Sequence, residues 1–176
     1  VSKLKEKGIY ENTIIYFLSD NGGRLRGDSD NGELRGKKGN FFEGGIRVPF
    51  VMQWPAKVKG GQIYNNPVIS LDIFATSKAL TSPNIVSKNE LHGVNLIPFL
   101  TGEKNHAPHD NLFWRNNLMQ NDPNLRVEAS AVRNQKFKFI KNKEAVALYD
   151  LKNDISEKID IKNQEIEVYN KLVNDH

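Results

Sequence analysis

The segment "NTIIYFLSDNGG", residues 12–23, indicates the fold of this 176-residue chain. It contains an apolar run, residues 13–18, that is rich in β-branched and aromatic side chains and does not alternate with polar ones. Such a run is typical of a strand buried on both faces in a parallel sheet. Asp20, Asn21 and Gly22 follow directly, and in open α/β sheets ligands collect beyond the carboxyl ends of the strands. The segment therefore predicts a candidate site after a sheet strand, although the same residue types also form ordinary turns.

The flanking sequence predicts further elements of an α/β sheet. Residues 2–7 are typical of the end of a helix, which Gly8 would close. The run "RVPFVMQWP" predicts a second strand at residues 48–54, stopped by Pro55. The apolar spacing of "VISLDIFATSKAL" predicts a helix over residues 70–80. Helix, strand, loop, strand and helix in this order indicate part of a larger α/β domain.

The C-terminal third has a different pattern. A long stretch after residue 80 is interpreted as irregular, and three short antiparallel strands are predicted at residues 129–133, 136–141 and 145–150. The alternation in "KFKFIK" predicts a half-exposed strand whose lysines face water. A C-terminal helix is predicted at residues 163–173, with one apolar face formed by Ile166, Tyr169, Leu172 and Val173. We therefore expect an α/β part at residues 1–110 and a small α+β subdomain at residues 111–176.

The composition excludes several classes of protein. The chain has no cysteine, which rules out disulfides, thiolate metal sites and a cysteine nucleophile within it. No apolar run approaches the roughly 20 residues that a membrane-spanning helix needs. The net charge is +4, and between Arg24 and Lys59 eight basic residues face four acidic ones. Such a basic field attracts anions, including sulfated or phosphorylated compounds and nucleic acid, but also occurs on ordinary surfaces.

Familiar loop motifs do not fit the glycine-rich segment after residue 20. A phosphate-binding P-loop needs four residues before its Gly-Lys pair, whereas three separate Gly32 from Gly36. A calcium-binding EF-hand loop starting at Asp28 would have Gly32 where its fifth-position ligand belongs. Asp20 and Asn21 are adjacent oxygen donors that suit calcium, but a calcium ion takes about six to eight such ligands. The residues alone therefore leave a metal site incomplete.

The order of several segments is specific. "NTIIYFLSDNGG", "LRGKKGNFFEGGIRVPFVMQWP", "SLDIFATSKAL", "LHGVNLIPFLTGE", "APHDNLFWR", "AVRNQKFKFI" and "LYDLKNDISEK" follow one another along the chain. Together they resemble the C-terminal part of the sulfatase family, of the arylsulfatase type. The resemblance implies an alkaline-phosphatase-like α/β sheet followed by a small α+β subdomain with a short antiparallel sheet and a C-terminal helix. It also implies a calcium-dependent sulfuric ester hydrolase.

The resemblance implies roles for three residues. Asp20 and Asn21 occupy the positions that ligate the active-site calcium in sulfatases, and Lys38 occupies that of the lysine contacting the substrate sulfate. Leu-Arg-Gly occurs at both Leu25 and Leu34, but only the second copy precedes the "EGGIRVP" run. The implied substrate is a sulfated small molecule or glycan, with no nucleic-acid or membrane partner. The implied location is periplasmic or secreted.

The chain also departs from the family's pattern. Sulfatases use a formylglycine made from Cys or Ser in a Cys/Ser-x-Pro-x-Arg motif, which this sequence lacks, as it lacks the family's N-terminal acidic calcium ligands. The resemblance therefore implies that both belong to an N-terminal part of the same protein, and that the 176 residues alone are inactive. Two alternatives remain open: a non-catalytic module that binds sulfated glycans, and a phosphatase or phosphodiesterase of the same superfamily.

Other conspicuous side chains favour structural roles. His92, His106 and His109 lack the spacing of a helical zinc motif, so surface or packing positions are expected. An alternative is that His106 or His109 contacts substrate. Glu43 and Arg47 are predicted to form a buried ion pair that supports the loop.

Overall fold

The structure is a computed structural model that describes residues 1–24, 29–82, 91–118, 127–142 and 145–176. Its helices are α1 (Ser2–Glu6), α2 (Glu43–Ile46), α3 (Leu71–Thr81), α4 (Ile97–Leu100) and α5 (Ile166–Asp175). Its strands are β1 (Ile15–Leu18), β2 (Phe50–Gln53), β3 (Leu112–Leu118), β4 (Val127–Arg133), β5 (Phe137–Asn142) and β6 (Ala145–Asp150). In the described part of the chain, no helix is long and apolar enough to cross a bilayer.

The chain divides into two units. The first comprises Val1–Phe17 and Phe50–Asp110, and the second comprises Leu18–Pro49 and Asn111–His176. The second unit thus takes in the glycine-rich loop as well as the C-terminal third. The sequence-based division into residues 1–110 and 111–176 stays a prediction.

The first unit contains the helix, strands and helix that the sequence predicts. Gly8 follows α1 in the left-handed conformation, with φ of 69°, and β1 and β2 pair in a two-stranded sheet. The expected burial of the first strand on both faces is wrong for the described residues, because Phe17 is 70% exposed on β1 and Val51 is 58% exposed on β2. The physical reason is that β1 has one neighbouring strand, β2, in the described part of the sheet, so that part buries little of the surface of either strand.

A buried carboxylate holds the first unit together beside α3. Asp72 is fully buried, and its two oxygens accept the backbone N–H groups of Ile69 and Val94, each at 2.9 Å. The Nε2 atom of His109 lies 3.0 Å from both oxygens. His109 therefore packs on a buried carboxylate, which is the structural role that the sequence favours.

The second unit is built on a four-stranded antiparallel sheet in the order β3-β4-β5-β6. Trp114, Ala131, Ile140 and Ala147 lie side by side across its four strands. The three strands predicted from sequence are confirmed as β4, β5 and β6. Strand β3 is not predicted, because its sequence "LFWRNNL" has no alternating pattern and lies in a stretch interpreted as irregular.

This sheet is covered on both faces. One face carries a buried cluster formed by Val132, Phe139, Leu148 and Leu172, and the other a cluster formed by Ala131, Ile140, Tyr149 and Leu151. Leu172 comes from α5 and closes the first face. Phe41 and Phe42, from the glycine-rich segment, pack on the second. The loop that precedes α2 is therefore a layer of the fold.

The prediction that the lysines of β5 face water is wrong for Lys138, because Phe41 and Phe42 cover that face of the sheet. Lys138 is completely buried instead of facing water, whereas Lys136, just before the strand, has a side chain that is 46% exposed. Alternation places Lys138 and Ile140 on the same side of β5, and this side receives Phe41 and Phe42. A half-exposed strand was expected because the sequence pattern contains no information about the segment that covers it.

The face of α5 is also corrected in part. Leu172 is buried, as predicted, and Tyr169 packs against the sheet. Ile166 and Val173, however, are 52% and 37% exposed, and Val168 packs in their place. Val168, Tyr169 and Leu172 lie on one side of the ten-residue helix, so the face that packs on the sheet is centred on them, and Ile166 and Val173 lie at its margins.

Candidate active site

Asp20 and Asn21 lie in a turn that is closed by side-chain hydrogen bonds to the backbone. The Ser19 hydroxyl donates to the Asn21 carbonyl oxygen at 2.8 Å, and the Asn21 amide donates to the Gly22 carbonyl oxygen at 3.0 Å. The Ser19 backbone N–H donates to the Pro49 carbonyl oxygen at 3.2 Å. Two chain segments thus fix the backbone of the turn, while Asp20 itself is exposed.

The free oxygens of this turn are suitable for a hard cation. Within the described residues, the Asp20 carboxylate and the Oδ1 atom of Asn21 have no hydrogen-bond or ion-pair partner. Carboxylate and amide oxygens are ligands that calcium prefers, but two of them provide a minority of the about six to eight it takes. No group of three or more His, Cys, Asp or Glu side chains among the described residues could hold a metal. The turn therefore offers oxygen donors of the kind that calcium prefers, and calcium binding at Asp20 and Asn21 stays a prediction.

Backbone hydrogen bonds join this turn to the segment that carries Lys38. The Lys38 N–H donates to the Gly23 carbonyl oxygen at 2.9 Å, and the Gly22 N–H donates to the Gly45 carbonyl oxygen at 3.0 Å. Lys38 is exposed, and its ammonium group makes no ion pair with any described residue. We call residues 19–24 and 29–47 the site loop. It brings all three predicted site residues into one hydrogen-bonded unit.

Glycine is required where two segments of the site loop are in backbone contact. A Cβ atom on Gly22 would lie 1.7 Å from the carbonyl oxygen of Gly44, and one on Gly44 would lie 2.7 Å from the carbonyl oxygens of Leu34, Arg35 and Gly36. Backbone atoms on both sides cannot move apart without breaking the bonds that hold the loop. These glycines therefore allow close backbone contact.

Asn31 holds the site loop together through its side-chain amide, a role that no sequence pattern indicates. Its Oδ1 accepts the N–H of Gly23 at 2.8 Å, and its Nδ2 donates to the carbonyl oxygen of Gly36 at 3.0 Å. The surrounding "DNG" is indistinguishable from an ordinary turn. Asn31 thus ties the segment after Asn21 to the segment before Lys38. The first Leu-Arg-Gly copy, residues 25–27, lies outside the described residues.

A buried charge cluster joins the site loop to the four-stranded sheet; it is formed by Glu43 of the loop with Arg133, Lys138 and Glu157. Oε1 of Glu43 is 2.8 Å from the Lys138 ammonium, and its Oε2 is 3.3 Å from the Arg133 guanidinium. The predicted partner, Arg47, is 3.5 Å from the same carboxylate, but its side chain is 50% exposed. Glu43 is therefore buried and paired, as predicted, but two less exposed partners come from β4 and β5: Arg133, at 14% exposure, and the completely buried Lys138.

The second carboxylate of the cluster has a different electrostatic environment. Glu157 accepts the Glu43 backbone N–H on Oε2 at 2.6 Å, and its Oε1 is 2.6 Å from the Lys138 ammonium. Burial raises the pKa of Glu157 above its usual value, and the attraction of Lys138 only partly offsets this. Burial acts in the same direction on Glu43, but Lys138, Arg133 and Arg47 together bring its pKa below the usual value. Glu43 is thus the more firmly charged of the two.

Residues 1–82 match the family model "Sulfatase". This segment belongs to the sulfatase family. Among curated proteins, this sulfatase chain is 33% identical over 121 residues to the steryl-sulfatase of Mus musculus, a match that covers 64% of this chain and 19% of that protein. It is 36% identical over 124 residues to the arylsulfatase of Hemicentrotus pulcherrimus, covering 68% of this chain and 22% of the relative. The chain thus spans about a fifth of the length of the curated relatives it matches.

Solved structures show that the fold is that of alkaline-phosphatase-like sulfatases. The protein Ps i-CgsB, solved in complex with k-i-k-neocarrahexaose, superposes with a TM-score of 0.86 and 32% identity, over 99% of this chain and 38% of that one. A phosphonate monoester hydrolase of Agrobacterium radiobacter superposes with a TM-score of 0.75 and 25% identity, over 99% and 36% of the two chains. The predicted fold class is confirmed, whereas the roles of Asp20, Asn21 and Lys38 stay predictions.

Proposed function

We propose that the protein to which this sulfatase chain belongs hydrolyses sulfate esters carried on a glycan. The observation that supports the glycan is the likeness of 99% of the chain, at 32% identity and a TM-score of 0.86, to a protein solved with k-i-k-neocarrahexaose. Membership of the sulfatase family supports the sulfate ester. A small sulfated molecule is the alternative substrate, and the 33% identity to a steryl-sulfatase over 64% of this chain supports it.

The geometry of the site loop suits the charge of this reaction. Hydrolysis breaks the bond between sulfur and the alcohol oxygen and adds water, so that the products are an alcohol and hydrogen sulfate. Negative charge on the sulfuryl oxygens has to be stabilised throughout. The Lys38 ammonium is exposed and has no ion-pair partner in the described part of the chain, so it is available to bind those oxygens. A calcium ion would supply further positive charge to the same oxygens.

Lys38 is a better sulfate contact than its neighbour Lys37. The Lys38 N–H is bonded to Gly23, two residues beyond Asn21. The Lys37 N–H instead bonds Asn40 at 3.2 Å. The backbone of Lys38 is therefore held beside the turn that carries the proposed calcium ligands.

Calcium dependence belongs to the same proposal. Asp20 and Asn21 would hold the ion through the Asp20 carboxylate and the Asn21 Oδ1 atom. The 176 residues do not contain the Cys/Ser-x-Pro-x-Arg motif from which the family makes its formylglycine, nor the family's N-terminal acidic calcium ligands. The 176 residues alone are accordingly expected to be inactive, and a periplasmic or secreted location stays a prediction.

The test is release of inorganic sulfate from sulfated oligosaccharides by the full-length protein. We expect turnover that chelators abolish and added calcium restores. Lys38→Ala should lower kcat/KM by roughly 100-fold or more, the range seen when a group that stabilises developing charge is removed. Lys37→Ala is the matched control and should change it by less than about threefold. Equal losses of kcat/KM in the two variants would show that Lys38 is not the specific sulfate contact. The absence of sulfate release from any sulfated carbohydrate would refute the proposal.

A second activity is favoured by one specific observation, the likeness to the phosphonate monoester hydrolase at 25% identity. The site loop would bind a phosphonate or phosphate through the same lysine, because these groups are also tetrahedral oxyanions. Paired assays on sulfate, phosphate and phosphonate esters of one alcohol separate the two activities. A protein that binds sulfated oligosaccharides and hydrolyses none of these esters would instead be the non-catalytic glycan-binding module.

A further inference from the structure

We propose that Lys138 is a positioning residue, which holds Lys38 at the sulfate through the buried charge cluster. This inference rests on the proposed function, because it assigns to Lys38 the sulfate contact given there. It concerns a residue on β5, 100 positions away from the lysine it would serve. Four features of the second unit support it.

The first feature is the central place of Lys138 in the cluster. Its ammonium lies 2.8 Å from Glu43 and 2.6 Å from Glu157, and all three side chains are completely buried. A buried charge is strongly unfavourable unless it is paired. Loss of the ammonium would leave two carboxylates facing each other away from water. The ion pairs therefore restrict the three side chains to one relative position.

The second feature is the direct link between the cluster and the site loop. Glu43 is the first residue of α2, and the two glycines that follow it bond to the loop on both sides. The Gly44 N–H donates to the Arg35 carbonyl oxygen at 2.7 Å, and the Gly45 carbonyl oxygen accepts the Gly22 N–H at 3.0 Å. A displacement of Glu43 would therefore move Arg35, which precedes Lys38, and Gly22, which is next to the glycine that accepts the Lys38 N–H.

The third feature is a second attachment point just before Lys38. Arg35 donates from Nη1 to the Glu157 carbonyl oxygen at 2.7 Å and to the Tyr149 hydroxyl at 3.2 Å. Its guanidinium also stacks on the Phe42 ring, 4.0 Å from the ring centre. The Lys38 segment is thus fastened to Glu157 from the Arg35 side and to Lys138 from the Glu43 side.

The fourth feature is backbone strain at Glu157. This residue has φ of 53°, in the left-handed region that non-glycine residues rarely adopt. The Asp154 carboxylate holds the following turn by accepting the N–H groups of Lys158 and Ile159, at 2.7 and 2.8 Å. Strain of this kind persists where the surroundings over-determine it. The conformation presents the Glu157 side chain to Lys138 and its carbonyl oxygen to Arg35.

The position of the Lys38 ammonium depends on this support. The side chain has no ion pair of its own among the described residues, so its backbone determines where it can reach. A misplacement of about 1 Å at a reacting centre can cost on the order of 100-fold in rate. We therefore expect the buried charge cluster to affect catalysis through Lys38.

The experiment is a double-mutant cycle in the full-length protein, with rates corrected for the folded fraction. Lys138→Met should lower kcat/KM for the sulfate ester about 100-fold in the wild-type background. In a Lys38→Ala background, Lys138→Met should lower kcat/KM less than about threefold, because the ammonium group that Lys138 positions is already absent. Lys136→Met removes a neighbouring exposed lysine and should leave kcat/KM unchanged in both backgrounds. Equal losses from Lys138→Met in both backgrounds would overturn the inference.

A second measurement covers the cases in which the cycle cannot be read. If Lys138→Met does not fold, the double variant Lys138→Met/Glu157→Gln, which removes one of the two facing carboxylates, takes its place. If the wild-type protein releases no sulfate, the proposed function fails. Amide hydrogen exchange in Lys138→Met then tests separately whether the buried charge cluster holds the site loop in place. Faster exchange confined to residues 36–45 in the variant would support the coupling between cluster and loop. Unchanged exchange in these residues would overturn it.

Discussion

The site loop and the buried charge cluster use charge in opposite ways. In the site loop, the side chains of Asp20 and Lys38 are exposed and have no partner among the described residues, while backbone hydrogen bonds from Ser19, Gly22 and Lys38 hold the segments that carry them. In the cluster, Glu43, Lys138 and Glu157 are completely buried and pair with one another. The comparison indicates that exposed side chains can stay unpaired, and so available to a ligand, when backbone hydrogen bonds and buried ion pairs hold the loop that carries them.

The energetics of the two regions should differ accordingly. Exposed charges contribute little to stability because water solvates them well in either state. Removing one partner of a buried pair is costly, because it leaves a charge without compensation. We therefore expect substitutions in the cluster to affect stability first, and substitutions of the exposed charges to affect function alone.

The largest effect is expected for Lys138→Met. The change leaves Glu43 and Glu157 facing each other in a buried site, so the free energy of unfolding should fall by about 3–5 kcal/mol. Lys136→Met should change it by less than about 0.5 kcal/mol, because Lys136 is exposed. Urea unfolding of both variants measures the difference. Similar small losses would show that the cluster is not the support of this unit.

The next largest effect is expected for Gly22→Ala, which tests the close backbone contact in the site loop. The added Cβ would lie 1.7 Å from the Gly44 carbonyl oxygen, so the loop has to open, at about 3 kcal/mol. Gly60→Ala is the control, since a Cβ there meets no atom within 4 Å. Thermal melting compares them. A tolerated Gly22→Ala would mean that the two segments of the loop are not in contact.

A smaller effect is expected from pH, with opposite signs for the two carboxylates. The pKa of Glu43 lies below its usual 4.5 in the folded state, so its stabilising contribution is present above pH 4.5 and is lost as the pH falls through the folded value. The pKa of Glu157 lies above 4.5, so protonation stabilises the fold as the pH falls towards 4.5. Glu43→Gln should flatten the loss below pH 4.5, and Glu157→Gln the gain above it. Unchanged slopes in pH-dependent unfolding would contradict these shifts.

The smallest effect on stability is expected for Lys38→Met. Because the Lys38 ammonium has no ion pair in the described part of the chain, the free energy of unfolding should change by less than about 0.5 kcal/mol. The same variant should lose most sulfate-ester turnover if the proposed function is correct. A large loss of stability would show that Lys38 has a structural partner and belongs with the buried cluster.

Much of the local structure was predictable because it depends on local patterns. The non-alternating run before Asp20 predicted β1, and three short apolar stretches predicted β4, β5 and β6. Strand β3 was missed because pairing with β4, and not a pattern of its own, makes it a strand. Asn31 was missed because an amide that clamps two loop segments looks like a turn residue in sequence.

The sequence by itself determined the family, the order of most elements and the placing of Asp20, Asn21 and Lys38 in one glycine-rich loop. The tertiary structure decided which charges are buried. Alternation along β5 shows that Lys138 shares a face with Ile140, but only folding brings Phe42 and Glu43 over that face. The physical reason is that side-chain direction is a local property of the backbone, whereas burial depends on what distant segments of the chain place on top.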